Sequence, residues 1–237
     1  MIRVALFGAG RMSAAIVRAA AADADMEVAD LIAPHAPDWA TTARYRASLD
    51  LLDETPDLLL DFSLPAGTAV AADWCRRSGV ALLSGVTGLD QAARDGLARA
   101  AQDVAVLWSP NYSLGVNLLA QLCQRAAAVL GRDAHVLVED IHHQWKKDMP
   151  SGTALMLGAA MQDVRSPAAT EPEYRSRREG EVIGQHSVTF EWAGEKLLLS
   201  HAALDRDVFA RGALAAARWL SGQECGLYSA ADWLAAE

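Results

Sequence analysis

The residues best suited to chemistry lie in one polar segment, which runs from Asp140 to Thr153 with the sequence DIHHQWKKDMPSGT. Histidine titrates near neutrality and can transfer a proton, whereas lysine stays cationic and can neutralise a developing anion. Ser151, Gly152 and Thr153 begin a predicted helix, whose free N–H groups and positive dipole end favour a carboxylate. The segment therefore suits a small dianionic substrate that is protonated while it receives a hydride.

Other interpretations of this segment stay open from the residues alone. His142 and His143 could bind a metal ion, but no third ligand stands at a suitable spacing, so we predict no metal site. Ser151 could act only as a helix cap. Lys146 and Lys147 could belong to a solvated surface.

A second candidate site is the turn Gly8-Ala9-Gly10-Arg11-Met12, which joins a predicted strand to a predicted helix. The N–H groups at such a helix start bind the pyrophosphate of a dinucleotide, and the glycines let the phosphate approach the backbone. Ser13 replaces the last glycine of the GxGxxG pattern, so the motif is incomplete. An ordinary strand-to-helix turn stays an alternative.

The elements that position these residues alternate in the first half of the chain. Short apolar runs at 3–7, 27–33, 58–62, 80–83 and 104–108 predict strands, and the stretches 13–22, 67–77 and 89–101 predict helices between them. Strands that alternate with helices form a mostly parallel sheet covered on both faces. The pattern predicts an α/β fold with a Rossmann-like, doubly wound sheet.

The pattern changes after Pro110. Helices are predicted at 114–130, 153–164 and 207–220, a strand at 134–141, a loop at 166–180, and a hairpin from strands 187–192 and 196–201. A hairpin does not belong to a parallel pattern. We therefore predict a second, α+β domain at about 114–205.

Three further loops follow predicted strands, at the edge of a parallel sheet where ligands bind. They are Asp61-Phe62-Ser63-Leu64-Pro65, Gly85-Val86-Thr87-Gly88 and Ser109-Pro110-Asn111-Tyr112. The glycines would let backbone approach a ring, and Asn111 offers an amide to a carboxamide. Ordinary turn chemistry is the alternative for each loop.

The composition limits the partners and the compartment. The 237 residues include 30 acidic and 21 basic side chains, for a net charge of -9. This balance argues against nucleic acid or an anionic membrane as the main partner, because both attract clustered positive charge. Cys75, Cys123 and Cys225 have no paired spacing, so we expect buried, reduced thiols in a cytoplasmic protein.

The choice of nicotinamide cofactor depends on the end of the second strand. A carboxylate there would bind the ribose diol of NADH and repel the phosphate of NADPH. Ala33-Pro34-His35 contains none, and Arg11 or His35 could meet the phosphate. We therefore expect use of NADPH or NADH with a weak preference for NADPH.

The chain resembles the 4-hydroxy-tetrahydrodipicolinate reductase (dihydrodipicolinate reductase) family. The family signature, acidic-x-His-His-x-x-Lys-x-Asp-x-Pro-Ser-Gly-Thr-Ala, is matched by 140–154. The likeness extends along the chain in the same order, with the Gly8 turn at its start. It covers Asp61-Phe62-Ser63-x-Pro65, Gly85-x-Thr87-Gly88, Asn111-Tyr112-Ser113-x-Gly115-Val116-Asn117, Gly184-Gln185-His186 and Phe209-Ala210-Arg211-Gly212-Ala213.

The resemblance implies NAD(P)H-dependent reduction in lysine and diaminopimelate biosynthesis. It implies a nucleotide domain at 1–113 completed by 206–237, and a middle domain at 114–205 that binds substrate and builds a homotetramer. His142 would be the acid/base residue, and Lys146 the proton-donating or charge-stabilising partner. His143, Ser151, Gly152 and Thr153 would hold substrate carboxylates, while the loops at 8–12, 85–87 and 109–112 would line the nucleotide.

The chain departs from the family pattern at several positions. Gln144 and Trp145 stand where basic or polar residues are common, Val86 stands for Thr, and Arg211 stands for Asn. These departures leave two alternatives: a paralogue that reduces another cyclic imine dicarboxylate, or a nucleotide-binding sensor without activity. Turnover on the pathway substrate and on other cyclic imines separates them.

Overall fold

The computed structural model describes residues 1–166 and 168–236. They form two compact units, Met1–Ser113 with Asp207–Glu237, and Leu114–Arg206. The strands are β1 (Ile2–Phe7), β2 (Met26–Ile32), β3 (Arg44–Arg46), β4 (Leu58–Asp61), β5 (Ala81–Ser84), β6 (Ala105–Trp108), β7 (His135–His142), β8 (Glu173–Arg178), β9 (Gly184–Trp192), β10 (Glu195–Ala203) and β11 (Gly226–Tyr228). The helices are α1 (Arg11–Ala20), α2 (Pro65–Ser78), α3 (Gln91–Ala100), α4 (Leu114–Leu130), α5 (Gly152–Gln162), α6 (Asp207–Leu220) and α7 (Ala230–Leu234), with a 3-10 turn at Leu49–Leu51.

The first unit is built on a parallel sheet of seven strands in the order β11-β6-β5-β4-β1-β2-β3. Leu58, Leu59 and Leu60 of β4 are fully buried, as expected for a strand covered on both faces. One apolar cluster joins the sheet to α1 and α6, and another joins it to α2 and α3. The predicted Rossmann-like, doubly wound sheet is confirmed.

The strand order of this sheet has one switch point. From β1 the chain adds β2 and β3 on one side and then crosses to β4, β5 and β6 on the other. The order therefore reverses between β1 and β4. Ligands of such sheets bind outside the carboxyl ends of the strands at this switch point, where the Gly8 turn and the residues after Asp61 lie.

The second unit has a mixed sheet in the order β10-β9-β7-β8. β9 and β10 form the predicted antiparallel hairpin, while β7 and β8 are parallel. Helices α4 and α5 pack on this sheet through a core that includes Leu119, Val138, Leu157, Val188 and Phe190. The unit is α+β, as the hairpin predicted.

The prediction of a loop throughout 166–180 is wrong, because Glu173–Arg178 forms β8. The sequence EYRSRR lacks an apolar period, since β8 lies at the edge of the sheet and carries charged side chains on exposed positions. Its register places Ser176 opposite Asp140 and Arg178 opposite His142. Pro167, within the predicted loop, and Glu237, at the end of the predicted nucleotide domain, lie outside the described residues.

The cysteines divide into two environments. Cys75 and Cys123 are buried free thiols, whereas Cys225 is exposed. The expectation of three buried thiols is therefore wrong for Cys225, which lies in the short connection between α6 and β11. Among the described helices, none is both long and apolar enough to cross a membrane.

Candidate active site

The turn after β1 packs closely against the chain that follows β4 and leads directly into α1. Gly8 has φ of 116°, and a Cβ atom there would lie 2.5 Å from the carbonyl oxygen of Phe62. Only glycine therefore lets the turn lie against the residues that follow β4. Gly10 caps α1 without a side-chain hydrogen bond, which leaves the first N–H groups of the helix for a ligand. The Ser13 hydroxyl is buried without a hydrogen-bond partner among the described residues.

A cavity of about 630 Å³ lies beside this turn. Its wall includes Gly8, Ala9 and Gly10, together with the residues after β2 from Ala33 to Asp38. The indole N–H of Trp39 donates to the carbonyl oxygen of Ala9 over 2.9 Å, which ties the segment after β2 to the turn. This segment brings Asp38 to the wall, although Ala33-Pro34-His35 contains no carboxylate. Arg11 is not among the lining residues.

A second cavity, of about 310 Å³, lies at the carboxyl ends of β4, β5 and β6. Its lining includes the predicted residues Met12, Gly85, Val86, Thr87, Pro110, Asn111 and Tyr112, with Phe62 and Phe209 in addition. A Cβ atom at Gly85 would lie 2.2 Å from the Phe62 ring, so glycine permits this packing. Ser109 is buried and its hydroxyl donates to the Asn111 carbonyl oxygen over 2.7 Å, so it shapes the loop.

The second unit places a histidine and a carboxylate two residues apart on β7. Successive side chains of a strand point to opposite faces, so Asp140 and His142 share the buried face with Val138. Nδ1 of His142 lies 2.8 Å from Oδ1 of Asp140. Asp140 also accepts hydrogen bonds from the Ser176 hydroxyl at 2.5 Å, the Ser151 N–H at 3.3 Å and the Arg178 guanidinium at 3.0 Å.

These contacts set the charge of the pair. Burial alone would raise the pKa of Asp140, but the hydrogen bonds it accepts hold that pKa below its usual range. Burial lowers the pKa of His142, and Lys146 and Arg178 act in the same direction against the opposing effect of Asp140. At neutral pH, His142 is therefore a neutral imidazole whose Nδ1–H donates to Asp140. The lone pair is then on Nε2, where Gly184 leaves space because it has no Cβ atom.

Arg178 holds the segment that carries Lys146. Its Nε donates to the Lys146 carbonyl oxygen over 3.1 Å, and its guanidinium also donates to the Asp148 carbonyl oxygen. The Lys146 ammonium lies 2.8 Å from the Asp148 carboxylate, and three quarters of its side chain is covered. Arg178 and Ser176 were not predicted as site residues, because their strand β8 was not recognised.

The start of α5 lies beside this pair. The Ser151 hydroxyl accepts a hydrogen bond from the Ala154 N–H over 3.2 Å, and Gly152 is exposed at the first helical position. Nε2 of His186 lies 3.4 Å from that hydroxyl, and the His186 ring meets the edge of His142 with centroids 5.1 Å apart. The cap of the helix is therefore joined to His142 through both Asp140 and His186.

His143 and Thr153 complete the predicted set. The His143 ring lies beside the Trp145 ring, with centroids 5.8 Å apart, and Trp145 is exposed. Thr153 is half-buried on the first turn of α5. Within the described residues, no cluster of His, Cys, Asp and Glu could hold a metal ion. The second unit thus combines a neutral histidine, a lysine and a helix N-terminus, which can bind an anion and move a proton.

Burial of His186 predicts an acid-sensitive fold. Burial is the main cause that lowers its pKa from 6.5 to about 4, so the unfolded chain binds a proton in this range that the folded chain does not. The free energy of unfolding therefore decreases as the pH falls from 6.5 to about 4. His186 alone contributes about 3 kcal/mol to this decrease. Urea unfolding across this pH range should show that the free energy of unfolding decreases less in His186→Gln than in the unaltered chain. An equal decline in both would contradict the prediction, and exposed His35→Gln is the control.

Two family models match almost the whole of this chain. Residues 2–112 match the family model described as dihydrodipicolinate reductase, N-terminus, and residues 115–234 match the model of its C-terminus. The chain belongs to the dihydrodipicolinate reductase family. The resemblance seen in the sequence is confirmed.

Relatives match along nearly the whole chain. A 4-hydroxy-tetrahydrodipicolinate reductase from Xanthomonas euvesicatoria pv. vesicatoria is 41% identical over 236 residues, which cover 98% of this chain and 97% of the relative. One from Stenotrophomonas maltophilia is 40% identical over 239 residues, with 98% of each chain covered. The structure of dipicolinate-bound dihydrodipicolinate reductase from Paenisporosarcina sp. TG-14 superposes with a TM-score of 0.81 at 22% identity and 97% coverage of each chain. At that identity it supports the fold alone.

Proposed function

We propose that this chain reduces 4-hydroxy-tetrahydrodipicolinate to tetrahydrodipicolinate with NADH or NADPH, in lysine and diaminopimelate biosynthesis. The observation that carries the proposal is the neutral His142, held by Asp140 beside the start of α5. A helix N-terminus binds a carboxylate, and a histidine with a free ring nitrogen can exchange a proton. The membership of the family gives these groups a dicarboxylate substrate.

The first unit has the features needed for a dinucleotide. The turn 8–12 and the free N–H groups of α1 would hold the pyrophosphate. The cavity after β2 would take the adenosine, and the cavity lined by Gly85, Val86 and Thr87 would take the nicotinamide. When bound, the cofactor supplies a hydride from C4 of the nicotinamide.

The second unit supplies binding and proton transfer. The N–H groups of Gly152 and Thr153, with the Ser151 cap and His143, would bind the two carboxylates. The Lys146 ammonium would neutralise the anion that develops or donate its proton. His142 enters the reaction neutral, because Asp140 holds its Nδ1–H and burial disfavours its cation. Reduction consumes one hydride and one proton, and water is lost before or with it.

A direct assay tests the proposed function. Freshly made substrate should cause the absorbance of NADPH to fall, and mass spectrometry should find tetrahydrodipicolinate in equal amount. Other cyclic imine dicarboxylates serve as competitors, because exposed Trp145 stands where the family carries polar residues. Faster turnover on one of them would favour the paralogue. No oxidation of NADPH above background at saturating substrate would refute the proposal.

Cofactor choice gives a further prediction. Ala33-Pro34-His35 has no carboxylate to repel the ribose phosphate, and Arg11 would attract it, so we expect NADPH to bind more tightly than NADH. Asp38 on the cavity wall would repel the phosphate, so we expect this preference to be less than about tenfold. Asp38→Asn should raise the NADPH preference by about fivefold, the effect of removing one exposed charge. Isothermal titration with both cofactors measures it, and Asp50→Asn removes an exposed carboxylate away from the cavity as the control. An unchanged ratio in Asp38→Asn would show that Asp38 has no part in selection.

The assembly and compartment follow from the resemblance. We propose a homotetramer in the cytoplasm, which light scattering and fractionation would test. Leu198 on the edge strand β10 is 58% exposed, which suits burial in an assembly.

A further inference from the structure

Asp61 is a buried carboxylate at the carboxyl end of β4. Its side chain is fully buried and accepts four hydrogen bonds from three parts of the first unit. The donors are the Ser63 N–H at 3.1 Å and hydroxyl at 2.6 Å, the Thr68 hydroxyl at 2.8 Å, and the Ser84 hydroxyl at 3.0 Å. Among the described residues, no cation lies within ion-pair distance of Asp61.

The hydrogen bonds favour the ionised form of Asp61. The Ser63 N–H can only donate, and Ser84 accepts from the Val86 N–H at 3.4 Å, so its own proton is available for the carboxylate. A carboxyl group that receives donors on both oxygens is stabilised as the anion. Burial is the largest influence and raises the pKa of Asp61, while the hydrogen bonds act against it. Within the described part of the chain, the carboxylate is held by these hydrogen bonds and by no cation.

This charge adjoins the smaller cavity. Ser63 lines that cavity, and Ser84 immediately precedes Gly85 and Val86 of its wall. Tyr112 is also on the wall, and its hydroxyl donates to the Ser84 carbonyl oxygen over 2.8 Å. Burial raises the pKa of Tyr112, and the charge of Asp61 contributes to that rise. The field of Asp61 therefore reaches the lining of the cavity.

We infer that Asp61 is an electrostatic positioning residue that favours the oxidised, positively charged nicotinamide over the reduced, neutral one. The inference rests on the proposed function, in which the nicotinamide occupies this cavity. A ring that gives up a hydride gains a positive charge, and a fixed anion in a buried site stabilises that charge without reorganisation. Asp61 acts on the ring through its electric field. The hydrogen bonds from Ser63 and Ser84 to Asp61 also fix the loops that follow β4 and β5.

Cofactor affinities test this inference without turnover. Fluorescence titration gives the Kd of NADPH, and calorimetry gives the Kd of NADP⁺, for the unaltered chain and for Asp61→Asn. The Thr68 and Ser84 hydroxyls can rotate to accept from the new amide. We expect Asp61→Asn to weaken NADP⁺ about tenfold more than NADPH, as one buried charge acting through an effective dielectric constant of about 20 would.

A second buried carboxylate provides the matched control. Asp30 on β2 is 3% exposed and is paired with Arg3, Arg44 and Arg46. Asp61 is held by Ser63 of the cavity wall, whereas the arginines that hold Asp30 line neither cavity. Asp30→Asn also removes one buried carboxylate and should leave the ratio of the two Kd values unchanged. A merely structural role of Asp61 would weaken both cofactors equally, and this result would overturn the inference.

The test also separates this inference from the proposed function. If Asp61→Asn does not fold, Asp61→Ser makes the same comparison with a smaller neutral side chain. Binding of both cofactors with an unchanged ratio in the neutral variant refutes the role of Asp61 and leaves the reductase proposal intact. Failure of the unaltered chain to bind either cofactor refutes both.

Discussion

Replacement of His142 by glutamine should lower turnover by about 10²–10⁴-fold, the usual effect of losing an acid/base group. The amide keeps the volume of the side chain and cannot exchange a proton near neutrality. NADPH affinity should not change, because His142 belongs to the second unit and the turn 8–12 to the first. Steady-state kinetics measure the loss, and fluorescence titration measures the affinity.

The same strand supplies a control for His142. His135 also lies on β7, but it is exposed and meets Glu173 at 3.5 Å. His135→Gln should therefore keep full activity. In the unaltered chain, kcat/KM should fall on the acid side with a midpoint below 6.5, because His142 works as the neutral form and its pKa is lowered. Near-normal turnover of His142→Gln would show that the role is assigned to the wrong residue.

Lys146→Ala should reduce turnover to a similar extent, by about 10²–10⁴-fold. The variant removes the cation that would donate a proton or neutralise the anion. It also breaks the contact with Asp148 at 2.8 Å, while Arg178 still holds the backbone at position 146. The loss should therefore appear in kcat and not in the melting temperature.

The neighbouring lysine separates a local role from general charge. Lys147 is exposed and also stands in the polar segment. Lys147→Ala removes the same charge and should retain most activity. Equal losses in the two variants would indicate that the segment needs positive charge in general, which would exclude a specific role for Lys146.

Much of the fold could be predicted because its core elements have strong local patterns. The apolar run Leu58–Leu60 predicts a strand buried on both faces, as the structure has it. The predicted bounds of α4 and α6 also agree with the structure. Strand β8 could not be predicted, because its Arg and Glu side chains give no apolar period and its place depends on pairing with β7. The short edge strands β3 and β11 have three residues each, which is too few to show a period in the sequence.

The site was predictable where its residues are adjacent in sequence. The segment 140–153 contains the histidine, the lysine and the helix start together. Arg178 and His186 reach His142 only through strand pairing, as Asp38 reaches the cavity only through the course of the segment after β2. Spacing along a chain does not reveal such contacts. Asp61 stood in a recognised motif, but its burial and its four donors required the structure.

The central claim is that this chain moves a hydride from a nicotinamide to a cyclic dicarboxylate. It is tested most directly with NADPH that carries deuterium in both positions at C4 of the nicotinamide and with freshly made 4-hydroxy-tetrahydrodipicolinate. Mass spectrometry should find one deuterium atom in each molecule of tetrahydrodipicolinate, and none when unlabelled NADPH is used in ordinary water. Product without deuterium, or no product while NADPH stays reduced, would contradict the account.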